Sequence, residues 1–399
     1  MKAVLTVIFL LSAGGLLHTY LFYPFLLLLL SKRNRPLRPR FGPADEWPQV
    51  SVLLSVYNEE KVIWQKLESL FQSVYPAPKL NFFIGSDASS DTTNAIVEEM
   101  AAGRQHLHFL PFAQRRGKPS VLNDLAAEAF RLAPPSPSHL LLITDANVFL
   151  EPDTIQKLAS HFKDANIGLV DAHMINTGLK SEGISTSETQ YIRAESLIKY
   201  REGQIWGAMI GPFGGCYMLR SDLFEPIPPH FLVDDFYLAM KAFEKGARAM
   251  NDLDARCFEA VSHEIQEEYR RKSRIAAGNF QNMMTFRSLW FPPFRPLSFA
   301  FFSHKILRWL GPFAIILMLV SSLGLFLMGN LLSGWVFLFL IVITLGLPLL
   351  DKALGLMGYH GFWLRGLRYF MAMNLALLAG FFRWMKGVRS GAWEPPKRV

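Results

Sequence analysis

Charge is what this sequence has least of. Asp, Glu, Lys and Arg together make 19% of its 399 residues, and they are missing altogether from Ala3 to Ser31 and from Trp309 to Leu350. Uncharged runs of that length do not suit an ordinary soluble domain. The first suffices to cross a hydrocarbon core of about 30 Å once, the second twice. Cysteine is almost absent too: Cys216 and Cys257 offer no zinc-ligand spacing, and in a part of the chain read as cytoplasmic they are not expected to form a disulfide. No GxxxxGK[ST] loop occurs, and no GxGxxG follows a predicted strand, so the two commonest nucleotide fingerprints are missing. There is no internal repeat.

The termini read as membrane elements. Residues 1–31 form one predicted transmembrane helix, which continues through Leu26 to Leu30 and then meets Lys32, Arg33, Arg35, Arg38 and Arg40. That cluster reads as a cytoplasmic stop. A cleaved leader is the alternative, disfavoured because no convincing cleavage site interrupts the apolar run. Residues 309–350 read as a transmembrane hairpin turning at Gly329, Asn330, Ser333 and Gly334. Between Arg368 and Arg383 the uncharged stretch is too short for a span, so 351–399 is expected to hold an interfacial or re-entrant segment and a basic tail carrying Arg389, Lys397 and Arg398. The aromatic, proline-broken stretch within 282–308 is expected on the membrane surface. Much of the net charge of +8 flanks these segments, where membrane lipids explain it, and no nucleic-acid partner is expected. The expected location is an integral position in the bacterial inner (plasma) membrane with the central domain in the cytoplasm.

After a basic, Pro-rich linker (32–49), the chain alternates short apolar runs with amphipathic stretches. Val50 to Val56 precedes the helical pattern of Lys61 to Ser73, and Phe82 to Ser86 precedes Asp91 to Ala102. Leu107 to Phe109 precedes Lys118 to Leu132, and Leu140 to Thr144 precedes a helix near Pro152. That order predicts an α/β domain over 50–281 with a mostly parallel sheet. Ligands of such sheets bind beyond the carboxyl ends of the strands. Asn58 and Glu59, Asp87, and Asp145 with Asn147 each follow a predicted strand.

Several segments, in order, resemble glycosyltransferase family 2 enzymes with a GT-A fold. Ser51-Val-Leu-Leu-Ser-Val-Tyr-Asn-Glu-Glu60 resembles the opening strand motif, and Asp87-Ala-Ser-Ser-Asp91 the second. Arg116-Gly-Lys118 with Asn123 resembles the Gly-Lys segment, and Asp145-Ala-Asn147 the Asp-x-Asp. Asp234-Asp235 followed by Leu238 resembles the acidic pair, and Arg270-Arg-Lys-Ser-Arg274 the Gln-x-x-Arg-Trp element. The resemblance implies donor contacts by Tyr57, Glu59, Asp87, Lys118, Asp145 and Arg274. It implies Mg²⁺ or Mn²⁺ at Asp145 and Asn147, Asp235 as catalytic base, and Asp234 as its neighbour. Two departures matter. Asn147 replaces an aspartate, so a hard cation loses a charged ligand. Ile275 stands in place of the tryptophan of processive synthases, and Arg271 in place of the glutamine.

Asp87 and Asp91 could each cap the following helix instead; the motif order favours a donor role for Asp87 and leaves Asp91 as the cap. Gly211, Gly214 and Gly215 could shape an acceptor pocket or form only a tight turn. His263 and Cys216 read as packing or surface residues. The implied function is an inverting transfer of a hexosyl or N-acetylhexosaminyl group from a nucleotide-sugar donor, a UDP-sugar by expectation, to a lipid-linked or glycan acceptor. A processive polysaccharide synthase is the rival enzyme, and a non-catalytic nucleotide-sugar-binding scaffold the remote alternative. A transporter is disfavoured because the apolar runs hold no intramembrane charge.

Overall fold

The alternating runs become one eight-stranded sheet in the computed structural model, which describes residues 1–31, 41, 45–178, 185–260, 265–357, 359, 361–388 and 391. Lys32, Arg33, Arg35, Arg38 and Arg40, His263, and Arg389, Lys397 and Arg398 lie outside the described residues, with the readings placed on them. The strands are β1 (Gln49–Val56), β2 (Leu80–Asp87), β3 (Leu107–Phe112), β4 (His139–Thr144), β5 (Val148–Leu150), β6 (Ile167–Thr177), β7 (Cys216–Arg220) and β8 (Arg248–Ala260). Their spatial order is β3-β2-β1-β4-β7-β6-β8-β5.

The first four strands pair in parallel. Parallel neighbours need helical crossovers, here Ile63–Phe71, Thr93–Ala101 and Lys118–Leu132. Helices on both faces bury both sides of a strand, which is why β1 and β4 read as continuous apolar runs. At Gly85 a side chain would stand 2.5 Å from Val121 Cγ1, so the glycine lets helix Lys118–Leu132 lie close against β2.

Beyond β4 the direction changes. β7 runs antiparallel to both β4 and β6, β8 runs parallel to β6, and β5 antiparallel to β8. The sequence pattern did not disclose β6 or β8, because polar residues interrupt their apolar alternation. Inside the fold those groups are satisfied in pairs. Lys199 Nζ donates to Asp171 Oδ2 at 2.6 Å, and His161 Nε2 lies 2.7 Å from Asp252 Oδ2. Burying such groups without partners would cost several kcal/mol, on the order of 1–3 for each lost hydrogen bond.

The chain divides into two compact units. A sheet unit comprises Leu30–Gly178, Glu195–Val261 and Val388–Val399, and a helical unit comprises Met1–Leu29, Leu179–Ala194 and Ser262–Gly387. Within the helical unit, Lys2–Ser31 and Leu331–Leu356 are long and apolar enough to cross a membrane. Pro296–Trp309 and Gly311–Leu327 reach that threshold only together, bent by 62°. Asn330 caps the helix after the turn, its side chain accepting the Ser333 N–H. Large apolar side chains such as Leu332, Trp335 and Phe339 point outward from Leu331–Leu356, as expected of a helix solvated by lipid. The last helix, Phe362–Met385, spans 24 residues and carries Arg368, whose Nε lies 2.9 Å from the buried Asp351. Gly380 lets it approach helix Ile265–Thr285 closely, since a Cβ there would meet the Ala276 methyl at 2.4 Å.

Candidate active site

The site forms where β4 stops. Because β7 starts beside the end of β4 and runs the other way, the Gly215 carbonyl caps that strand. It accepts Thr144 Oγ1–H at 2.9 Å and the Asp145 N–H at 3.0 Å. The Asp145-Ala146-Asn147 turn follows. A fully buried lysine brackets it from below: Lys66 Nζ donates to Thr144 Oγ1 at 2.8 Å and to the Val148 carbonyl. Burial pushes the Lys66 pKa down to about 8, with Cys216, Cys257 and Asp145 opposing.

Lys118 reaches the turn from the start of its helix. Its Nζ donates to Asp145 Oδ1 at 2.7 Å and stands 3.4 Å from Asp234 Oδ2. The Asp234 contact is electrostatic, since that buried oxygen accepts no hydrogen bond among the described residues. Burial alone would lower the Lys118 pKa, but Asp145, Asp234 and Asp235 reverse this and hold it above the usual lysine value. Asp234 and Asp235 open helix Asp234–Glu244, and Asp235 lies against the glycine loop. Gly214 has φ +84°, and a Cβ on it would stand 2.6 Å from Asp235 Oδ2. Only glycine meets both conditions. Loss of water contact, then the charge of Asp234, push the Asp235 pKa up to about 7, with Lys118 pulling the other way.

The flanking residues hold the loops. Asp87 is 3% exposed, and its two oxygens accept the backbone N–H groups of Arg116 (2.7 Å) and Gly117 (2.9 Å). The carboxylate thus fixes the loop that leads into Lys118. Tyr57, at the end of β1, lies under the Arg115 guanidinium, 3.8 Å from ring centre to carbon. The Glu59 N–H is accepted by Thr93 Oγ1, and Asp91 Oδ1 accepts the Thr93 N–H at the entry to the next helix. The Phe213 N–H in the glycine loop donates to Asp171 Oδ1. Arg274 lies in the helical unit, half-buried on Ile265–Thr285.

Lys118, Asp145, Asp234 and Asp235 therefore converge. Lys66, Arg115, Asp171 and Glu259 also contribute, and sequence reading passed over them. The Arg115-Arg116 doublet beside Gly117 was the one local signal available for any of these. The others reach the site only through pairings between distant strands and helices.

Three carboxylates stand against the two ammonium groups of Lys118 and Lys66, a formal surplus of one negative charge. This excess suits a divalent cation, as does the donor chemistry. Asp145 Oδ2 and Asn147 Oδ1 are hard oxygens that accept no hydrogen bond among the described residues. Among the described residues no three carboxylate, imidazole or thiolate groups are placed to hold one ion between them, so an ion here would need oxygens from its ligand as well. The residues fit Mg²⁺ or Mn²⁺ held by Asp145 and Asn147.

Known proteins resemble this chain in sequence and in fold. The family model for glycosyl transferase family 2 matches residues 51–227, and that for glycosyl transferase family group 2 matches 140–382. An N-acetylglucosaminyltransferase of Rhizobium sp. (strain N33) is 25% identical over 273 residues, 62% of this chain and 58% of the relative. A beta-monoglucosyldiacylglycerol synthase of Synechocystis is 22% identical over 172 residues, 40% of this chain and 34% of the relative. The chain spans from 21% to 58% of the lengths of the curated relatives it matches. Among solved structures, a mannosyltransferase from Pyrobaculum calidifontis, in complex with GDP-Man and Mn²⁺, superposes with a TM-score of 0.69 at 21% identity. That match covers 96% of this chain and 98% of the other, so the mixed α/β fold is of the GT-A kind. With a family model spanning more than half of its length, the chain belongs to glycosyltransferase family 2.

Proposed function

We propose that this chain is an inverting glycosyltransferase, moving one sugar from a nucleoside-diphosphate sugar to an acceptor presented at a membrane. The observation that carries this reading is the cluster of Lys118 with Asp145, Asp234 and Asp235 at the carboxyl end of β4. Transfer from such a donor makes two demands. Charge building on the departing diphosphate must be neutralised, and the acceptor hydroxyl must lose a proton. Lys118 supplies a cation to the diphosphate. Mg²⁺ or Mn²⁺, when bound at Asp145 and Asn147, adds neutralising charge there. Tyr57, Glu59 and Asp87 line or brace the nucleotide side.

Asp235 takes the proton. A carboxylate with a pKa near 7 is a far better base at neutral pH than an ordinary aspartate, and this one owes its basicity to burial and to Asp234. The family resemblance implies a single displacement with inversion at the anomeric carbon. The apolar helices of the helical unit support a membrane-borne acceptor, in line with the glucosyldiacylglycerol in the name of the Synechocystis relative. They also support anchorage in a bacterial inner membrane with the sheet unit in the cytoplasm.

The test is release of nucleoside diphosphate by the detergent-purified protein. A panel of UDP- and GDP-sugars would be offered with and without membrane lipids, with products identified by mass spectrometry. One donor should be consumed faster when its acceptor is present, and EDTA should slow it. Absence of turnover with every donor and extract would defeat the reading.

A further inference from the structure

The Asp-x-Asn turn lacks a charge where the resemblance implies an aspartate, and the fold brings one in from elsewhere. β5 begins at Val148, immediately after Asn147, and pairs antiparallel with β8 so that Val148 lies opposite Glu259. Across this register Asn147 Nδ2 donates to Glu259 Oε1 at 2.5 Å. A carboxylate can only accept, so it fixes which way the amide points. The NH₂ end is committed to Glu259, and Oδ1 is left as the ligating end, with no hydrogen bond of its own among the described residues. Polarisation through that bond adds electron density to the amide oxygen. Counted together, Asp145 and Glu259 carry the same formal charge as two aspartates in one turn.

We infer that Glu259 is a positioning residue for the cation that assists donor binding: it orients the Asn147 amide oxygen and supplies the charge that the amide lacks. This rests on the metal-assisted reading above. It makes a demand that a mere strand-end hydrogen bond would not. Charge moved from 259 to 147 should restore what its loss at 259 removes.

The experiment is titration of the full-length protein in detergent with Mn²⁺, in the presence of UDP or GDP, with free Mn²⁺ followed by electron paramagnetic resonance. Glu259→Gln, which removes the charge while its amide oxygen can still accept from Asn147, should weaken Mn²⁺ binding by about 10–100-fold, the usual effect of altering the partner behind a metal ligand. Its unfolding midpoint should remain near that of wild type. Asn147→Asp on top of Glu259→Gln should bring affinity back to within about twofold of wild type, since compensation and not additivity is expected for neighbours. Asn147→Asp alone should not improve on wild type, because two adjacent carboxylates then repel. If Glu259→Gln binds Mn²⁺ normally while Asp145→Asn does not, the inference on Glu259 is overturned and the metal reading survives. The inference is equally overturned if the double variant stays as weak as the single one. If Asp145→Asn and wild type bind Mn²⁺ alike, the metal reading itself fails.

Discussion

Asp87 and Asp235 stand at the same end of the same sheet unit, and their surroundings give them opposite work. Asp87 is almost sealed from water, yet both its oxygens accept backbone N–H groups, so its charge is fully used in holding the Arg116-Gly117 loop. Asp235 lies against the bare backbone of Gly214 beside Asp234, and loss of water contact, then the charge of Asp234, push its pKa up to about 7. Donor groups stabilise a carboxylate; loss of water and a neighbouring carboxylate make it basic. The first aspartate contributes stability, and the second gives stability up for basicity.

The sharpest way to break that contrast is Asp235→Asn, which keeps the shape and removes the proton acceptor. Transfer should fall by roughly 10²–10⁴-fold with donor binding retained. In wild type the rate should rise with pH through about 7 as the base ionises, and the variant should lose that dependence. The sign for stability runs the other way. Because the folded pKa lies above the unfolded one, the folded state holds a proton through the window from about 4 to about 7, and wild type loses stability as pH climbs through it. Asp235→Asn should therefore unfold later than wild type at pH 8. An equal midpoint, with near wild-type transfer, would remove Asp235 from the chemistry.

Gly214→Ala presses the same point more gently. The added methyl meets Asp235 Oδ2, and φ +84° disfavours any side chain by about 1–2 kcal/mol. Displacing the base should lower transfer by about 10–100-fold with little change in donor KM. A raised KM with unchanged kcat would assign the glycine loop to donor binding.

Asp87→Asn should act on the fold. Its NH₂ would face one of two backbone donors, at a cost of roughly 1.5–3 kcal/mol, the worth of a hydrogen bond to a charged group. The loss is read as a lowered unfolding midpoint. A stable protein with weakened donor binding would instead make Asp87 a direct donor contact.

The smallest effect concerns Lys66. Its folded pKa, about 8, lies below the ordinary 10.5, so between those values the unfolded chain holds a proton that the folded one lacks. Stability should gain from this residue as pH rises from about 8 to 10.5, and Lys66→Met should flatten that part of the stability profile. An unchanged slope would show that Lys66 stays charged in place.

Much of this site was readable locally. Lys118, Asp145, Asp234 and Asp235 each sit at the end of a strand or the start of a helix, positions that short-range apolar pattern betrays. The helix from Lys118 to Leu132 and the strands around Val52, Phe83 and Leu142 follow from pattern alone, because a strand covered on both faces must be apolar throughout. β6 and β8 escaped because Asp171, Asn251 and Asp252 break their alternation, and each is satisfied by a partner far along the chain.

The sequence by itself determined the α/β class, the apolar termini, and which residue types stand at the strand ends, since these depend on neighbours within one or two turns of chain. Tertiary structure alone decided that Asp87 is saturated while Asp235 is strained toward neutrality. It alone set Lys66 beneath the Asp145 turn and Glu259 beside Asn147. The reason is physical: a carboxylate's basicity and an amide's orientation are set by charges and donors within a few ångströms. Pairing across β4, β7, β5 and β8 brings those groups together from residues up to 112 positions apart.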